Sequence, residues 1–342
     1  MGLPNGISIV ICTYNGVRRL RPTLEAIFSL KISPEISWEL IIVDNASTDG
    51  TTPFCENIIK EKGFEKKARI VFEQNPGCNH ARLRGLRETS FRWLLFCDDD
   101  NHLFDDYFEK AWNTLNENPE IGALGGQGIA LFENEKPIWF DRFHRSFAVG
   151  PQAIESGRLT NKFTKLYSAG TYFRKEALDF FYNNQFNTIM VGPQGNDLTR
   201  GEDTEWCFML QLKGYQLWYN NDLKFYHYMT SSRMTWSYYL KLKQGISSGV
   251  AKLEAYTPFL SKAHPSFLSF FIHYGKCLIF QNVVWWQFVC KKMFGLKKYT
   301  QQEIVLGTVN NQAKALAFRR DFSITYKHFK QIKKLLSKST PA

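Results

Sequence analysis

Three consecutive carboxylates, Asp98, Asp99 and Asp100, are the residues of this sequence best suited to chemistry. They follow the apolar stretch 93–97, whose unbroken pattern is typical of a strand buried on both faces of a parallel sheet. Adjacent carboxylates repel one another, and a hard divalent cation with oxygen ligands relieves that repulsion. The triplet therefore predicts a Mg²⁺ or Mn²⁺ site for a substrate phosphate. A solvated acidic turn with Asn101 as a helix cap is the alternative.

A second acidic group, Glu202, Asp203 and Glu205, lies at the start of a predicted helix that ends near Lys213. The helix dipole favours acids in a first turn, so helix capping is one interpretation of this group, and a chemical role is the other. His227 lies near the end of a predicted strand further along the chain. A lone histidine is more often structural than a ligand, and both roles stay open for it.

Four strand-then-helix units precede and include the acidic triplet. The predicted strands are residues 7–13, 38–43, 68–73 and 93–97, and the helices that follow them are residues 18–30, 51–62, 79–89 and 105–116. This alternation favours an α/β fold with a mostly parallel, doubly wound sheet. In such a sheet ligands bind beyond the carboxyl ends of the strands.

Each of these strands ends in a polar, turn-forming cluster. The clusters are Thr13-Tyr14-Asn15, Asp44-Asn45-Ala46-Ser47, Asn75-Pro76-Gly77 and the acidic triplet. Parallel strands bring all four clusters to one edge of the sheet, which strengthens the prediction of a site there. The turn after the first strand has one glycine and a bulky tyrosine, so it lacks the glycine-rich loop of a dinucleotide-binding fold.

The stretch from residue 117 to residue 230 is less regular. We predict a bulged strand at 121–132, a strand interrupted by glycine at 166–173 and a helix at 174–182. A polar loop at 195–201 follows, and two short strands at 217–219 and 223–228 end the region.

The basic charge is concentrated in the last third of the chain. The 342 residues carry a net charge of +11, and residues 231–342 alone hold 18 Lys and Arg against 3 Asp and Glu. A hydrophobic content of 44% argues against disorder. An anionic membrane surface or nucleic acid would suit the basic tail. The seven scattered cysteines and the lack of a leader pattern favour a reduced, cytosolic compartment.

The tail is predicted to be helical, with segments at 236–252, 267–290 and 322–336. Lys276 splits the apolar run 267–290, so we favour a helix in the membrane interface over a full span. Four lysines would then lie at the lipid headgroups: Lys291, Lys292, Lys297 and Lys298. The segment 322–336 has one apolar face beside a row of lysines, and either membrane binding or packing on the catalytic domain explains that pattern.

Six short motifs resemble the inverting glycosyltransferases of family 2, which have the GT-A fold of nucleotide-diphospho-sugar transferases. The motifs, in chain order, are Cys12-Thr13-Tyr14-Asn15, Val43–Gly50 (VDNASTDG), Asn75-Pro76-Gly77 with Ala81-Arg82, Asp98-Asp99-Asp100, Ser168-Ala169-Gly170-Thr171 and Gly201-Glu202-Asp203. They span residues 5–230 in the order of the family. One departure is Leu83, which replaces the asparagine that often follows the arginine.

The resemblance implies a role for each motif. Nucleotide binding would involve Thr13, Tyr14, Asn15, Asp44, Arg82, Asp98 and Asp99, with Tyr14 stacking on the base, Asp44 accepting from it and Asp98 holding the ribose. Asp100, Asp98 and His227 would hold the metal, and Gly170 would line the sugar-acceptor cleft. Asp203 would be the catalytic base, with Glu202 beside it.

The implied enzyme moves a sugar from a nucleotide-diphosphate donor, most often a UDP-sugar, to a hydroxyl of a glycan or lipid-linked acceptor, with Mn²⁺ or Mg²⁺. We expect a catalytic domain at residues 1–230, with its nucleotide half at about 1–101 and its acceptor half at about 102–230, and a basic helical region at 231–342. The expected location is the inner face of the cell membrane, bound peripherally.

The alternatives are a non-catalytic nucleotide-sugar-binding or membrane scaffold protein and a nucleotidyltransferase on a related fold. A nucleotidyltransferase usually has a glycine-rich loop with a basic residue after the first strand, and this chain lacks one. Nucleic-acid binding is suggested by charge alone, and we do not expect it.

Overall fold

The apolar, β-branched segments form strands where the sequence predicts them, since both of their faces become buried. The computed structural model describes residues 2–192, 199–261, 265–295 and 300–337. Within these ranges one sheet contains nine strands: β1 (Ile7–Thr13), β2 (Trp38–Asp44), β3 (Ala68–Phe72), β4 (Trp93–Asp98), β5 (Asn101–Leu103), β6 (Ile121–Phe132), β7 (Gly157–Arg158), β8 (Thr171–Arg174) and β9 (Gln216–Met229).

The helices of the same ranges cover both faces of the sheet and form the carboxyl-terminal region. They are α1 (Val17–Phe28), α2 (Thr51–Lys62), α3 (Cys78–Glu88), α4 (Tyr107–Glu117), α5 (Phe140–Phe143), α6 (Lys175–Asn183), α7 (Glu202–Leu212), α8 (Trp236–Leu253), α9 (Thr257–Leu260), α10 (Phe267–Met293), α11 (Gln301–Arg320) and α12 (Phe322–Ser337). Two short 3₁₀ turns lie at His144–Phe147 and Ser231–Arg233.

The sheet has a parallel half and a mixed half. Its strand order is β3-β2-β1-β4-β8-β6-β9-β5, and β7 pairs with β9. Strands β3, β2, β1 and β4 are parallel, as the sequence predicts. Strand β8 is antiparallel to both β4 and β6, while β5 and β7 are antiparallel to β9. The carboxyl ends of the parallel half therefore share one edge.

Alternate side chains of the central strands pack on opposite faces of the sheet. Ile9 and Ile11 of β1 pack in a core with α1, α2 and α4, whereas Val10 packs in a second core with α3, α6 and α7. Both faces of β1 are consequently buried from solvent, which explains why its sequence is apolar without alternation.

Three segments of the second half differ from the prediction in detail. The two short strands at 217–219 and 223–228 are parts of β9, because the pairing with β6 jumps from Gly125–Tyr219 to Gln127–Lys224 across a bulge. The strand predicted at 166–173 begins only at Thr171, and the residues before it form a turn. Of the polar loop 195–201, residues 195–198 lie outside the described residues.

Helix α12 packs on the catalytic domain, which decides between the two interpretations of its amphipathic pattern. Phe329, Ile332 and Leu335 are buried in the same core as Phe173 and Trp206 of the sheet and α7. The lysine row of α12 faces solvent at Lys327, Lys330 and Lys334, and Lys338 lies outside the described residues. The apolar face of this helix is therefore covered by the protein itself, as the packing interpretation expects.

Helix α10 leaves much of its apolar surface uncovered. Its exposed side chains include Leu268, Ile272, Ile279, Phe280 and Trp286. Among the described residues it is the one helix long and apolar enough to cross a membrane by length and composition, and only 11% of its most apolar window is buried. Of the four predicted headgroup lysines, Lys297 and Lys298 lie outside the described residues.

Candidate active site

The two acidic groups of the sequence line one cavity of about 800 Å³. The acidic triplet follows β4 at the carboxyl edge of the parallel half, and Glu202 and Asp203 lie in the first turn of α7. His227 also lines this cavity, since β5 pairs with β9 and places Asn101 opposite His227. Groups more than a hundred residues apart in sequence thus share one space.

Asn101 shapes the turn that presents the triplet. It is fully buried in β5, and its Oδ1 accepts a hydrogen bond from the Asp98 backbone N–H at 3.1 Å. The next helix begins at Tyr107, with Asp106 as its N-cap. The alternative of a solvated acidic turn capped by Asn101 is therefore wrong.

Asp100 is buried and held by two basic side chains. Its Oδ2 accepts from Arg233 Nη1 at 2.6 Å, and its Oδ1 lies 3.3 Å from His227 Nε2. Burial by itself raises the pKa of this carboxyl, but His227 and Arg233 outweigh it and hold the pKa well below its usual range. Asp100 is therefore a stable anion at the base of the cavity.

Asp99 is paired with a residue that the sequence analysis did not select. Arg19 of α1 donates to both of its carboxylate oxygens, at 3.2 and 2.8 Å, and Thr13 Oγ1 donates at 2.7 Å. Burial raises the pKa of Asp99, and the neighbouring Asp100 charge adds to this, although Arg19 opposes it. Thr13 thus hydrogen-bonds to Asp99 but does not itself line the cavity.

The three acids of the first turn of α7 have different surroundings. Glu202 is buried against Arg82, with 3.0 Å between Oε1 and Nη1. Glu205 is fully buried, and it accepts from the Ile189 and Met190 backbone at 2.8 Å each. Asp203 is half-buried and faces the cavity. Helix capping therefore explains part of this group, since Glu202 accepts from the Gly201 N–H and Asp203 from the Thr204 N–H at the helix start.

Glu205 also joins α7 to the tail. Its Oε1 accepts from Tyr256 Oη at 2.6 Å and lies 3.2 Å from His328 Nε2 of α12. A buried polar network of this kind fixes the helix that carries Asp203 against the carboxyl-terminal helices.

Arg82 connects the two acidic groups. Besides Glu202 it reaches Asp98 Oδ1 at 3.6 Å, and its Nη2 donates to Ser168 Oγ at 2.6 Å. Burial raises the pKa of Glu202, but the Arg82 charge reverses this, so the pKa of Glu202 is lowered. Glu202 is therefore neutralised within the protein.

Asp203 has the properties of a proton acceptor. Burial and the nearby Glu202 charge raise its pKa above the ordinary value, while Lys165 and Arg82 oppose the shift. Its Oδ1 accepts from the Thr204 backbone N–H at 2.6 Å, and no ion pair holds Asp203 within the described ranges. A raised pKa brings a carboxylate closer to the value that suits a general base.

The nucleotide-binding candidates of the first two loops lie around the rim. Tyr14 lines the cavity and is 57% exposed, so its ring is available for stacking. Asn15 Oδ1 accepts from the Thr48 N–H at 2.8 Å, which ties the two loops together. Asp44 is buried, and its oxygens accept from Ser47 N–H at 2.9 Å and Thr52 Oγ1 at 2.5 Å.

Gly170 does not line the cavity, although its neighbours Ser168 and Ala169 do. It has φ +64°, and a Cβ there would lie 2.7 Å from the Tyr107 hydroxyl and 2.8 Å from the Phe225 ring. The Tyr107 hydroxyl donates to the Gly170 carbonyl. The glycine thus serves a tight, buried turn that positions Ser168, and its predicted place in the acceptor cleft stays a prediction.

The family model described as glycosyl transferase family 2 matches residues 8–181, just over half of the chain. The chain belongs to this family of transferases. The dolichyl-phosphate beta-glucosyltransferase of Saccharomyces cerevisiae is 38% identical over 98 residues, which are 28% of this chain and 29% of that enzyme. The chain spans less than two thirds of the length of other curated relatives as well.

Two solved structures share the architecture over most of the chain. Mannosyltransferase PcManGT from Pyrobaculum calidifontis, in complex with GDP-Man and Mn²⁺, gives a TM-score of 0.57 at 16% identity, covering 93% of this chain and 88% of that one. S. aureus TarS 1–349, in complex with UDP-GlcNAc, gives 0.50 at 14% identity, covering 93% and 92%. The predicted GT-A fold of this family member is thereby confirmed.

The residues predicted to hold a divalent metal fit one in part. Asp100 and His227 offer an oxygen and an imidazole nitrogen side by side, and Mn²⁺ accepts both donors. Such ions often use one or two carboxylates and complete their shell with substrate phosphates. Asp98 does not join them in a compact three-ligand group. In the described part of the chain, such a group is formed by Glu254, His273 and Cys277.

Several cavity residues were missed by the sequence analysis. Arg19 and Arg233 neutralise the triplet, and Arg145, Lys165 and Lys243 line the opposite end. Arg233 lies only six positions after His227, so the end of the same strand was a usable signal. Lys243 lies on α8, in the tail, and no local pattern places it beside Asp203.

Proposed function

We propose that this family member is an inverting glycosyltransferase that moves a sugar from a nucleotide-diphosphate donor, a UDP-sugar, to a hydroxyl of a glycan or lipid-linked acceptor. The observation that carries the proposal is the position of Asp203, which faces the same cavity as Asp98, Asp99 and Asp100. One acidic group serves the leaving diphosphate and the other the incoming hydroxyl.

The donor would lie along the triplet. Tyr14 would stack on the base, Asp44 would accept a hydrogen bond from it, and Asp98 would bind the ribose. Asp100 and His227 would hold the metal, with Asp98 as a further predicted ligand. Bound Mn²⁺ or Mg²⁺ would stabilise the charge of the leaving diphosphate as a Lewis acid. Arg19 and Arg233 supply fixed positive charge at the same place.

The acceptor hydroxyl would be activated by Asp203. The hydroxyl oxygen attacks the anomeric carbon from the side opposite the diphosphate, and its proton passes to an Asp203 carboxylate oxygen. The bond to the diphosphate oxygen breaks with its electron pair, so the anomeric centre is inverted in one step. The raised pKa of Asp203 favours this proton transfer, while Glu202 is neutralised by Arg82 and positions its neighbour.

Replacing Asp203 tests this proposal. Asp203→Asn should reduce sugar transfer by about 10²- to 10⁴-fold, the usual contribution of a general base, and should leave UDP binding nearly unchanged. Asp222→Asn, at an exposed aspartate of β9, is the matched control and should have full activity. Unchanged transfer by Asp203→Asn would refute the assignment and favour a non-catalytic nucleotide-sugar-binding protein.

The donor is tested by thermal stabilisation with nucleotide sugars in Mn²⁺ and in EDTA. A UDP-sugar should raise the unfolding temperature more than GDP-mannose, and EDTA should remove most of the rise. The relation to TarS and to PcManGT does not choose between the two nucleotides. Larger stabilisation by GDP-mannose would overturn the uridine assignment and leave the transferase proposal standing.

We also propose that α10 binds the anionic inner surface of the cell membrane. Leu268, Ile272, Ile279 and Trp286 recur at helical spacing and are exposed, and Lys276 lies among them. Exposed apolar side chains bordered by lysines suit the interface of an anionic bilayer. A lipid-linked acceptor would then meet the enzyme at this surface.

Flotation with vesicles tests the membrane proposal. The wild type should float with vesicles that contain phosphatidylglycerol and bind less to pure phosphatidylcholine. Ile279→Glu with Phe280→Glu should abolish flotation. Ile138→Glu is the control, because this isoleucine is also fully exposed but lies outside α10. Equal flotation of the α10 variant, or none by the wild type, would contradict the proposal.

A further inference from the structure

The cavity that Asp203 faces also has basic side chains that form no ion pair among the described residues. Arg145, Lys165 and Lys243 line the cavity. Lys314 of α11 does not line it, but it lies one turn after Asn310, which bonds to α8 one turn after Lys243, and its charge lowers the pKa of Lys243. We call these four residues the basic cluster. Within the described parts of the chain, none of the four forms an ion pair with a carboxylate.

The members of the basic cluster come from different parts of the fold. Arg145 belongs to the 3₁₀ turn after α5, and Lys165 precedes the buried turn at Ser168. Lys243 and Lys314 lie on α8 and α11. These two helices are joined by a hydrogen bond of 2.7 Å from Ser247 to Asn310. Tertiary structure, and not a local run of basic residues, therefore brings these positive charges together.

The electrostatic cost of this arrangement appears in the two half-buried lysines. Burial lowers the pKa of Lys243, and the charges of Lys314 and Lys165 lower it further. Burial also lowers the pKa of Lys314, with Lys165 as the second cause. Like charges brought together and partly desolvated destabilise a fold unless an anion binds between them.

The cluster is adjacent to the proposed acceptor base. The charge of Lys165 opposes the rise of the Asp203 pKa. Arg145 and Asp203 both act on the pKa of Tyr167, which Arg145 lowers and Asp203 raises. A second cavity of about 580 Å³ shares Arg145 and Lys243 with the first one. An acceptor that reaches Asp203 from this side therefore passes the cluster.

We propose that the acceptor carries a phosphate group and that the basic cluster binds this group beside the attacking hydroxyl. The identification of the bound molecule as the acceptor rests on the proposed function. Several ammonium groups suit a phosphate, because it offers more than one negative charge and several acceptor oxygens, whereas a single carboxylate offers less of both.

Binding of glycerol 3-phosphate to enzyme saturated with UDP and Mn²⁺ tests the inference. UDP occupies the donor's phosphate position, so remaining phosphate binding reports another site. The wild type should bind glycerol 3-phosphate but not glycerol, and Lys243→Met with Lys314→Met should weaken binding at least tenfold. Lys241→Met, at an exposed lysine of α8, should leave it unchanged. Equal affinity of wild type and the double variant, or an equal loss in the control, would overturn the proposal.

Thermal unfolding provides a second readout that separates binding from structure. Because Lys243 and Lys314 are held in mutual repulsion, the double variant should unfold at the same temperature as the wild type or at a higher one. A lower unfolding temperature would identify the lysines as structural and contradict the inference.

The source of the phosphate is distinguished by vesicles of phosphatidylcholine with phosphatidic acid. Wild type and double variant are both compared in an Ile279→Glu, Phe280→Glu background, so that α10 does not contribute to vesicle binding. If the double variant loses glycerol 3-phosphate binding alone, the phosphate belongs to a water-soluble glycan; if it also loses vesicle binding, it belongs to a lipid. Both results support phosphate binding by the basic cluster. No turnover is needed for these measurements, so an inactive wild type that binds phosphate contradicts the proposed function alone.

Discussion

The two ends of the cavity use their positive charges in opposite ways. Around the two acidic groups, three arginines have a carboxylate partner within hydrogen-bond distance: Arg19 with Asp99, Arg82 with Glu202 and Arg233 with Asp100. At the basic cluster, the described structure pairs none of the cations with an acid. The charges of the first end are balanced within the protein, and those of the second would be balanced by the phosphate that we propose binds there.

This difference separates charged groups that stabilise the folded site from charged groups that we propose bind a substrate. A buried ion pair that loses one member leaves an uncompensated charge, so its disruption costs folding free energy. Replacing an unpaired lysine that lies beside other lysines removes charge repulsion. The substitution should therefore weaken ligand binding without lowering the free energy of unfolding. The predictions that follow test this division.

The largest expected effect is on stability at the satisfied end. Arg82→Leu should lower the free energy of unfolding by about 3–5 kcal/mol, because Glu202 would stay buried without its partner. Urea unfolding measures this, and Arg82→Leu with Glu202→Leu should recover part of the loss.

Arg84→Leu is the matched control on the same helix. Its partner Glu88 lies one turn away, and both side chains are partly exposed, so the loss should be about 0–1 kcal/mol. Equal destabilisation by the two single substitutions would remove the distinction between a buried and a peripheral pair.

A smaller effect is expected on donor binding from Asp100→Asn. The amide keeps the shape of the carboxylate but lacks its charge, so UDP should bind about tenfold more weakly in Mn²⁺, a loss of about 1.4 kcal/mol. Titration calorimetry should give nearly the same affinity for this variant in Mn²⁺ and in EDTA. Asp105→Asn, at an aspartate outside the cavity, should retain the metal dependence. Retained dependence in Asp100→Asn would show that Asp100 is not a metal ligand.

The sequence predicts the satisfied end better than the ligand-dependent one, and the reason is local. The triplet follows a continuous apolar strand, and parallel pairing brings such strand ends together. In the observed register of β1 with β4, Cys12 pairs with Asp98, so the ends of these two strands do meet at one edge. Hydrophobic periodicity was therefore sufficient to place the parallel half.

The basic cluster was not predicted because its residues come from separate elements. Lys243 lies on a helix to which the sequence assigned no partner, and Lys314 lies on α11, which the sequence did not predict. Only packing brings α8 and α11 together. Likewise the amphipathic pattern of α12 did not reveal what covers it, whereas His328 lies 3.2 Å from Glu205 in the structure. Periodicity identifies a buried face but not its partner.

The turn at Gly170 shows a third limit. The sequence predicted a strand interrupted by glycine, where another backbone or a ligand would approach. The left-handed backbone there instead satisfies packing against Tyr107 and Phe225, and Ser168 is the neighbour that reaches Arg82. A glycine in a motif indicates close approach, but it does not identify the group that approaches.

The smallest expected effect links the two ends through Asp203. A base acts when deprotonated, so the rate should rise with pH through the Asp203 pKa, which burial and Glu202 raise and Lys165 lowers. Lys165→Met should therefore move the acidic limb of the kcat/KM profile to higher pH. Lys162→Met, at an exposed lysine outside the cavity, should leave the limb in place. If the acidic limb of Lys165→Met stays in place, the basic cluster and Asp203 are electrostatically independent. A phosphate bound at the cluster would then lie too far from Asp203 to help align the attacking hydroxyl.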